Sequence, residues 1–407
     1  MLACMRDAPS DLDARPAAAE FDAVDPAVKR ASRGEKWATY PPEVLPLWVA
    51  DMDFAVAAPI RRVLQRAVET SDLGYPIHPA PTDLPDLFAA RARERYGWEV
   101  EPRRVEVVTD VVQGMIVGVD RLSAPGDGVI VQTPVYPPFM RIVEETGRRF
   151  LENPLVPGPQ GFEIDLDGLR RAASEARVLL LCHPQNPTGR AFRRAELEAV
   201  AEVALSHGLF VVSDEIHADL VLSGERFVPF ASLAPEVAAR TLTLASASKA
   251  FNVAGLRTAV AVFGSDEVRR RFLSLPRHVR GGVSILGFEA TRAAWREGGP
   301  WLEAVLEYLR GNRALVAEIV ARDLPGVVYR PGEATYFAWL DCRALGLEPS
   351  PFRFFLDRAR VALSDGLAFG RPGAGFARLN FATSRALLRE ALERMAKALS
   401  TTEPPRG

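Results

Sequence analysis

From residue 105 to residue 263 the chain repeats one pattern, in which short β-rich runs give way to amphipathic helical stretches. The runs are 105–108, 128–132, 178–182, 209–213, 241–245 and 259–263. Helical periodicity marks 57–70, 85–96, 165–176, 194–207 and 300–322. This alternation predicts an α/β fold with a mostly parallel sheet wrapped in helices. Near residue 320 the pattern changes. Residues 327–329, 335–341 and 378–381 read as strands, with helices at 351–360 and 384–400, so a smaller α+β domain is expected there. The long helix 300–322 is the expected connector.

Composition narrows the function. With 48% hydrophobic and 25% charged residues in 407, the chain has material for a sizeable core and is not a disordered polymer. A net charge of −2 lacks the basic excess of a dedicated nucleic-acid binder. No apolar run approaches the roughly 20 residues of a membrane helix, and no targeting segment is visible, so a cytoplasmic protein is expected. Cys4, Cys182 and Cys342 lie far apart, which suggests reduced thiols and offers no metal-site spacing.

Three segments carry chemistry. In Thr243-Leu244-Ala245-Ser246-Ala247-Ser248-Lys249 a strand runs into hydroxyl residues and a single lysine. An apolar setting disfavours the charged amine, which makes it nucleophilic and suits a Schiff base to an aldehyde cofactor. Ser246, Ser248 and Arg257 can bind a phosphate nearby. In Leu209–Val212 followed by Ser213-Asp214-Glu215-Ile216-His217, Asp214 stands at the carboxyl end of a buried strand, where open α/β sheets bind ligands. A carboxylate there can hold a pyridinium nitrogen protonated, although Asp214 is also a plausible helix cap, and His217 reads equally as a cofactor contact or a plain helix-face histidine. In Cys182-His183-Pro184-Gln185-Asn186-Pro187-Thr188-Gly189 a crowded turn fixes the direction of Asn186.

Together these segments resemble, in order and approximate spacing, the fold-type I pyridoxal-phosphate enzymes, and Arg257 stands eight residues after Lys249 as in class I/II aminotransferases. The resemblance is strongest to the MalY/PatB-type cystathionine β-lyases, or C–S lyases. It rests further on 47–54 (LWVADMDF), 133–139 (TPVYPPF), 214–217 (DEIH) and 377–382 (ARLNFA), and it spans about residues 20 to 400. It implies a seven-stranded, mostly parallel sheet in a large domain at 50–299. A small α+β domain would be built from 21–49 and 300–400, with a disordered arm at 1–20 and a tail at 401–407.

The same resemblance implies the roles. Lys249 holds the cofactor, pyridoxal 5′-phosphate, and then shuttles the Cα proton; Asp214 pairs with the pyridine nitrogen. Asn186 donates to the phenolic oxygen, with His217 close by, and the histidine favours the C–S lyase branch over aminotransferases that carry tyrosine. Tyr136 stacks on the ring. Ser246, Ser248, Arg257 and the helix-opening turn at Val111 and Val112 hold the phosphate, although that turn, led by Asp110, lacks the glycine often found there. Arg378 forks onto the substrate carboxylate, with Ala50, Asn186 and Tyr136 also lining the substrate site. Tyr75 reaches a neighbouring subunit's phosphate, so a homodimer with shared sites is expected, acting on a small amino acid without nucleic acid, membrane or metal. The implied reaction is α,β-elimination from L-cystathionine or another cysteine S-conjugate. An aminotransferase, a tailoring enzyme for a cysteine conjugate, and a regulatory protein that keeps the cofactor but binds a partner are the alternatives. A dinucleotide enzyme is set aside because no glycine fingerprint follows the first strand.

Overall fold

The computed structural model describes residues 15–76, 82–159 and 161–401. The terminal segments read from sequence fall largely outside these residues, as does Cys4. Seven strands form the main sheet: β1 Val105–Val108, β2 Gly128–Val131, β3 Arg149–Glu152, β4 Ala176–Cys182, β5 Phe210–Asp214, β6 Thr241–Ala245 and β7 Ala259–Phe263. Their spatial order is β1-β7-β6-β5-β4-β2-β3. The five strands β6 to β3 run parallel, and β7 is antiparallel to both of its neighbours.

The central strands are mostly apolar on both faces because both faces of the sheet are covered. Alternate side chains enter opposite cores. Val129, Val131, Leu180 and Val212 join the core on one face, whereas Ile130, Leu179, Leu181 and Val211 join the core on the other. All eight are at most 1% exposed, and each such burial contributes roughly 1.5–3 kcal/mol. The first core is capped by the helix Val111–Leu122 and the second by the helix Arg194–Ser206. Gly114 and Gly118 let the helix Val111–Leu122 lie directly on the sheet. A Cβ at either position would stand 2.7 Å from Leu244 or Leu242.

A second sheet comprises β8 Val328–Tyr329, β9 Phe337–Asp341, β10 Ser364–Asp365 and β11 Phe376–Asn380, antiparallel throughout in the order β8-β9-β11-β10. It shares a core with the helices Gly299–Asp323 and Arg385–Ser400. Phe21, Trp37, Leu45 and Phe54 from the beginning of the chain pack into that same core. So do Ala247, Ala250 and Phe251, which flank Lys249. The loop carrying the lysine is therefore clamped between the main sheet and this second body of apolar residues.

Several boundaries differ from the sequence reading. β3 escaped the strand pattern because it is an edge strand with Arg149 and Phe150 exposed, so it lacks an apolar run. The helix expected at 165–176 is Leu166–Ala173, since Ala176 already opens β4. The helices Pro138–Glu145, Asp266–Leu273 and Ile285–Glu297 were not read from periodicity; the second of these has only Val268, Phe272 and Leu273 as apolar residues beside five charges. No helix among the described residues is long and apolar enough to cross a membrane.

Candidate active site

The register of three parallel strands brings the sequence segments together. Cys182 of β4 pairs with Asp214 of β5, and Asp214 pairs with Leu244 of β6. The turns holding Asn186, Asp214 and Lys249 thus leave the same edge of the sheet, side by side, despite a separation of 63 residues in sequence. They wall a cavity of about 530 Å³. Tyr136, His217, Ser248, Arg257, Ala50, Val111 and Val112 line it as well.

Asp214 on the cavity wall is 6% exposed. Burial pushes its carboxyl up to about 7, against a donated hydrogen bond from the Ile216 N–H (3.0 Å) and the attraction of Lys249. A carboxylate in this position is short of a cationic partner. Glu215, next in the chain, points elsewhere and accepts from Ser213 Oγ and the Phe230 N–H. His217 is buried and driven down to about 3 by desolvation, with Lys249 and Arg378 adding to it, so its ring is neutral, and its Nδ1 meets no protein partner.

Lys249 is lowered from the ordinary lysine range by burial, with Asp51 and Asp214 opposing and Arg378 reinforcing. Its Nζ donates to the Ala50 carbonyl at 3.1 Å. The Tyr336 hydroxyl donates to the same oxygen at 2.9 Å. Asn252 ties the lysine loop to the 52–54 segment through three hydrogen bonds of 3.0 Å. The amine is therefore held at a defined point by backbone that arrives from 200 residues away.

Arg378 lies behind Asn186 and is 4% exposed. It donates to Asn186 Oδ1 (2.9 Å), the Trp48 carbonyl (2.8 Å) and Ser364 Oγ (3.1 Å). Phe337 and Phe369 cover its guanidinium at 4.2 and 4.9 Å. No carboxylate pairs with it among the described residues, and its Nε is unpartnered. Burial brings its pKa down to about 10. Because Asn186 Oδ1 is committed to Arg378, the Asn186 NH₂ is the group left to donate into the cavity.

The helix Val111–Leu122 begins at the cavity wall. Its N-cap, Asp110, accepts from the Gln113 N–H (2.8 Å), which leaves the first-turn N–H groups of Val111 and Val112 without helical partners. Ser248 and Arg257 stand beside them on the cavity wall. Ser246 does not reach the wall. Its hydroxyl donates to the Thr258 carbonyl at 2.6 Å and accepts from the Ser248 N–H, so it shapes the turn that presents Ser248. Tyr75 is fully exposed and joins no site within its own chain.

The sequence reading missed the backbone carbonyls of Ala50 and Trp48 as acceptors, and the side chains of Tyr336, Ser364 and Asn252. It quoted Asp110 without a role, although the Asp-x-x-Gln spacing before an apolar run is an N-cap signature. No group of three or more His, Cys, Asp or Glu side chains arranged to hold a metal occurs among the described residues.

A planar ring carrying a basic nitrogen at one end, an aldehyde at its middle and a phosphate at the other fits this donor set. The buried carboxylate, the depressed amine, and the arginine with free N–H groups all line one cavity. Comparison with known proteins agrees. Residues 43–395 match the family described as aminotransferase class I and II. A Mycobacterium leprae protein assigned as a cystathionine β-lyase is 43% identical over 390 residues, which cover 89% of this chain and 94% of that one. Cystathionine β-lyase PatB of Bacillus subtilis is 37% identical, covering 88% and 93%. The PLP-bound C–S lyase from Staphylococcus hominis superposes with a TM-score of 0.87 at 27% identity, covering 94% of this chain and 99% of that one.

Proposed function

The chain belongs to the class I and II aminotransferase family, and from that premise we propose that it is a pyridoxal 5′-phosphate-dependent carbon–sulfur β-lyase. Its substrates are L-cystathionine or another cysteine S-conjugate. The observation that carries an amino-acid substrate is Arg378, a buried guanidinium with neutral partners only, one hydrogen bond from a residue of the cavity wall. The choice of sulfur elimination follows the relatives, which at 35–43% identity bear the name cystathionine β-lyase.

When bound, the cofactor supplies a conjugated electron sink that stabilises negative charge at the substrate Cα. The chain's own residues do the rest. Arg378 grips the α-carboxylate in two-pronged fashion and so fixes which bond at Cα stands ready to break. Lys249, made less basic by burial, takes the Cα proton on Nζ and is placed to pass it to the departing sulfur, which leaves as the thiol. Asp214 holds the ring nitrogen protonated. Asn186 directs its NH₂ at the phenolic oxygen, and Tyr136 covers the ring. Ser248, Arg257 and the N–H groups of Val111 and Val112 hold the phosphate, with Ser246 orienting Ser248. With a sulfur on Cβ the balanced result is conjugate plus water giving thiol, pyruvate and ammonium.

Each chain completes its partner's site in this reading. Tyr75 has its whole side chain in solvent, with Leu73 and Val68 also exposed nearby in sequence, and a second copy of the chain is the surface proposed to cover them. The buried thiols Cys182 and Cys342 suit a reducing compartment, and the cytoplasm is the proposed location.

The test is to incubate the PLP-loaded protein with L-cystathionine and S-alkyl-L-cysteines and assay pyruvate, thiol and keto-acid-dependent turnover separately. Equal amounts of pyruvate and thiol, formed without added keto acid, are expected. Turnover only with a keto acid would make the protein an aminotransferase.

A further inference from the structure

The phosphate end of the cavity contains a carboxylate of its own. Asp110 lines the cavity together with Val111, Val112, Ser248 and Arg257. Both of its oxygens are engaged there: Oδ1 accepts the Gln113 N–H at 2.8 Å, and Oδ2 forms an ion pair with Arg257 Nη2. The guanidinium of Arg257 is one of the donors that an incoming phosphate needs, while the N–H groups of Val111 and Val112 stay free beside it. The Asp110 side chain is 22% exposed and that of Arg257 64%, so the carboxylate is the less solvated member of the pair.

Resting on the proposed function, we propose that Asp110 is an internal competitor for the cofactor's phosphate, pairing with Arg257 in the cofactor-free chain and weakening phosphate binding. Arg257 adopts a left-handed backbone conformation (φ 49°), and its side chain lines the cavity beside Asp110. A phosphate that displaces Asp110 leaves a carboxylate beside it; one that does not displace Asp110 shares Arg257 with it. Either way a like charge stands within a few ångströms, and the penalty falls on the phosphate alone. The aldehyde and ring nitrogen are handled by other residues, Lys249 and Asp214. The device makes the cofactor exchangeable in a site that is otherwise built to retain it.

The discriminating experiment titrates the cofactor-free protein with PLP and, separately, with pyridoxal, which has the same ring and aldehyde but no phosphate. Binding is followed by the visible absorbance of the lysine adduct, and inorganic phosphate is added as a competitor against pyridoxal phosphate. Asp110→Asn keeps the helix cap and removes the charge; Asp110→Ser is a second capping variant, and thermal melting checks that both fold. Both variants should bind PLP and inorganic phosphate about tenfold more tightly, with pyridoxal affinity changed less than twofold. Unchanged or weaker PLP affinity in folded Asp110→Asn would overturn the proposal, because Asp110 would then be aligning Arg257 for the phosphate. A parallel gain for pyridoxal would overturn it too. In both cases the lysine-dependent absorbance would persist, so the function proposed above would stand. Absence of that absorbance in the unsubstituted chain would remove the function and this inference together.

Discussion

Two buried arginines in this chain look alike in sequence and do opposite things. Arg91, 8% exposed, meets Asp219 at 2.7 Å, and Asp219 also binds Arg95 and accepts from the Tyr96 hydroxyl. Burial lowers the Arg91 pKa, but Asp219 and Tyr96 more than offset it, and the net shift is upward. Arg378, 4% exposed, has an amide, a carbonyl, a hydroxyl and two aromatic faces but no anion, and its pKa is pushed down to about 10. The first cluster is electrostatically closed and serves the fold. The second is left open, at a cost in stability, and is complete only when a ligand brings the carboxylate.

The largest effect expected in the open cluster is on Lys249. Lys249→Ala should lower pyruvate release at least ~10³-fold, since general-base catalysis alone commonly contributes 10²–10⁴-fold. It should also abolish the borohydride-reducible PLP adduct, while removal of a desolvated amine leaves the melting temperature of the cofactor-free protein unchanged or higher. A reducible adduct that survives this substitution would assign the covalent link to another residue.

Stability separates the two arginines directly. Arg91→Met strands the buried Asp219 carboxylate with only Arg95 as a cationic partner and should cost roughly 3–5 kcal/mol in urea denaturation of the cofactor-free protein. Arg378→Met strands no anion and should cost far less, or stabilise. Equal losses in the two variants would break the comparison. Function sharpens it further: Arg378→Lys keeps the charge but not the fork, and should reduce kcat/KM about 10²-fold with full PLP content. Parallel loss of cofactor and activity would make Arg378 a structural residue.

The smallest effect is a pH slope. The folded-state pKa of Asp214, about 7, lies above its unfolded value near 4, so its contribution to stability is full below about pH 4 and is lost as pH rises through 7. Between those limits the cofactor-free protein should lose about 1 kcal/mol per pH unit on this account. Asp214→Asn should remove that slope, leaving the like-signed slope of Glu215, whose burial raises it to about 8. Identical slopes in both proteins, by denaturation from pH 4.5 to 7, would mean that Asp214 is not desolvated.

How much of this was readable beforehand follows from the kind of signal each part leaves. β4, β5 and β6 are rich in apolar and β-branched residues and lead into distinctive residues, so both their existence and the cluster of Asn186, Asp214 and Lys249 could be read. β3 could not, because edge strands need no apolar run. The acceptors for Lys249 and Arg378 are the carbonyls of Ala50 and Trp48, and any residue type supplies a carbonyl; only the fold says which ones arrive. Ser246 was expected at the phosphate because a hydroxyl beside a basic cluster suggests it, yet its hydrogen is committed to Thr258. The difference between Arg91 and Arg378 was equally silent. It depends on the absence of a partner, and sequence records which charges exist but not which remain unpaired.

The open state of Arg378 is most directly tested by its coupling to the substrate carboxylate. The measurement is kcat/KM for S-methyl-L-cysteine and for its decarboxylated analogue, 2-(methylthio)ethylamine, with the unsubstituted protein and with Arg378→Met. If the arginine is held for the carboxylate, the unsubstituted protein should prefer the amino acid by about 10²-fold or more, and Arg378→Met should lose nearly all of that preference while turning over the amine as before. A preference that survives in Arg378→Met, with both substrates slowed equally, would contradict the account.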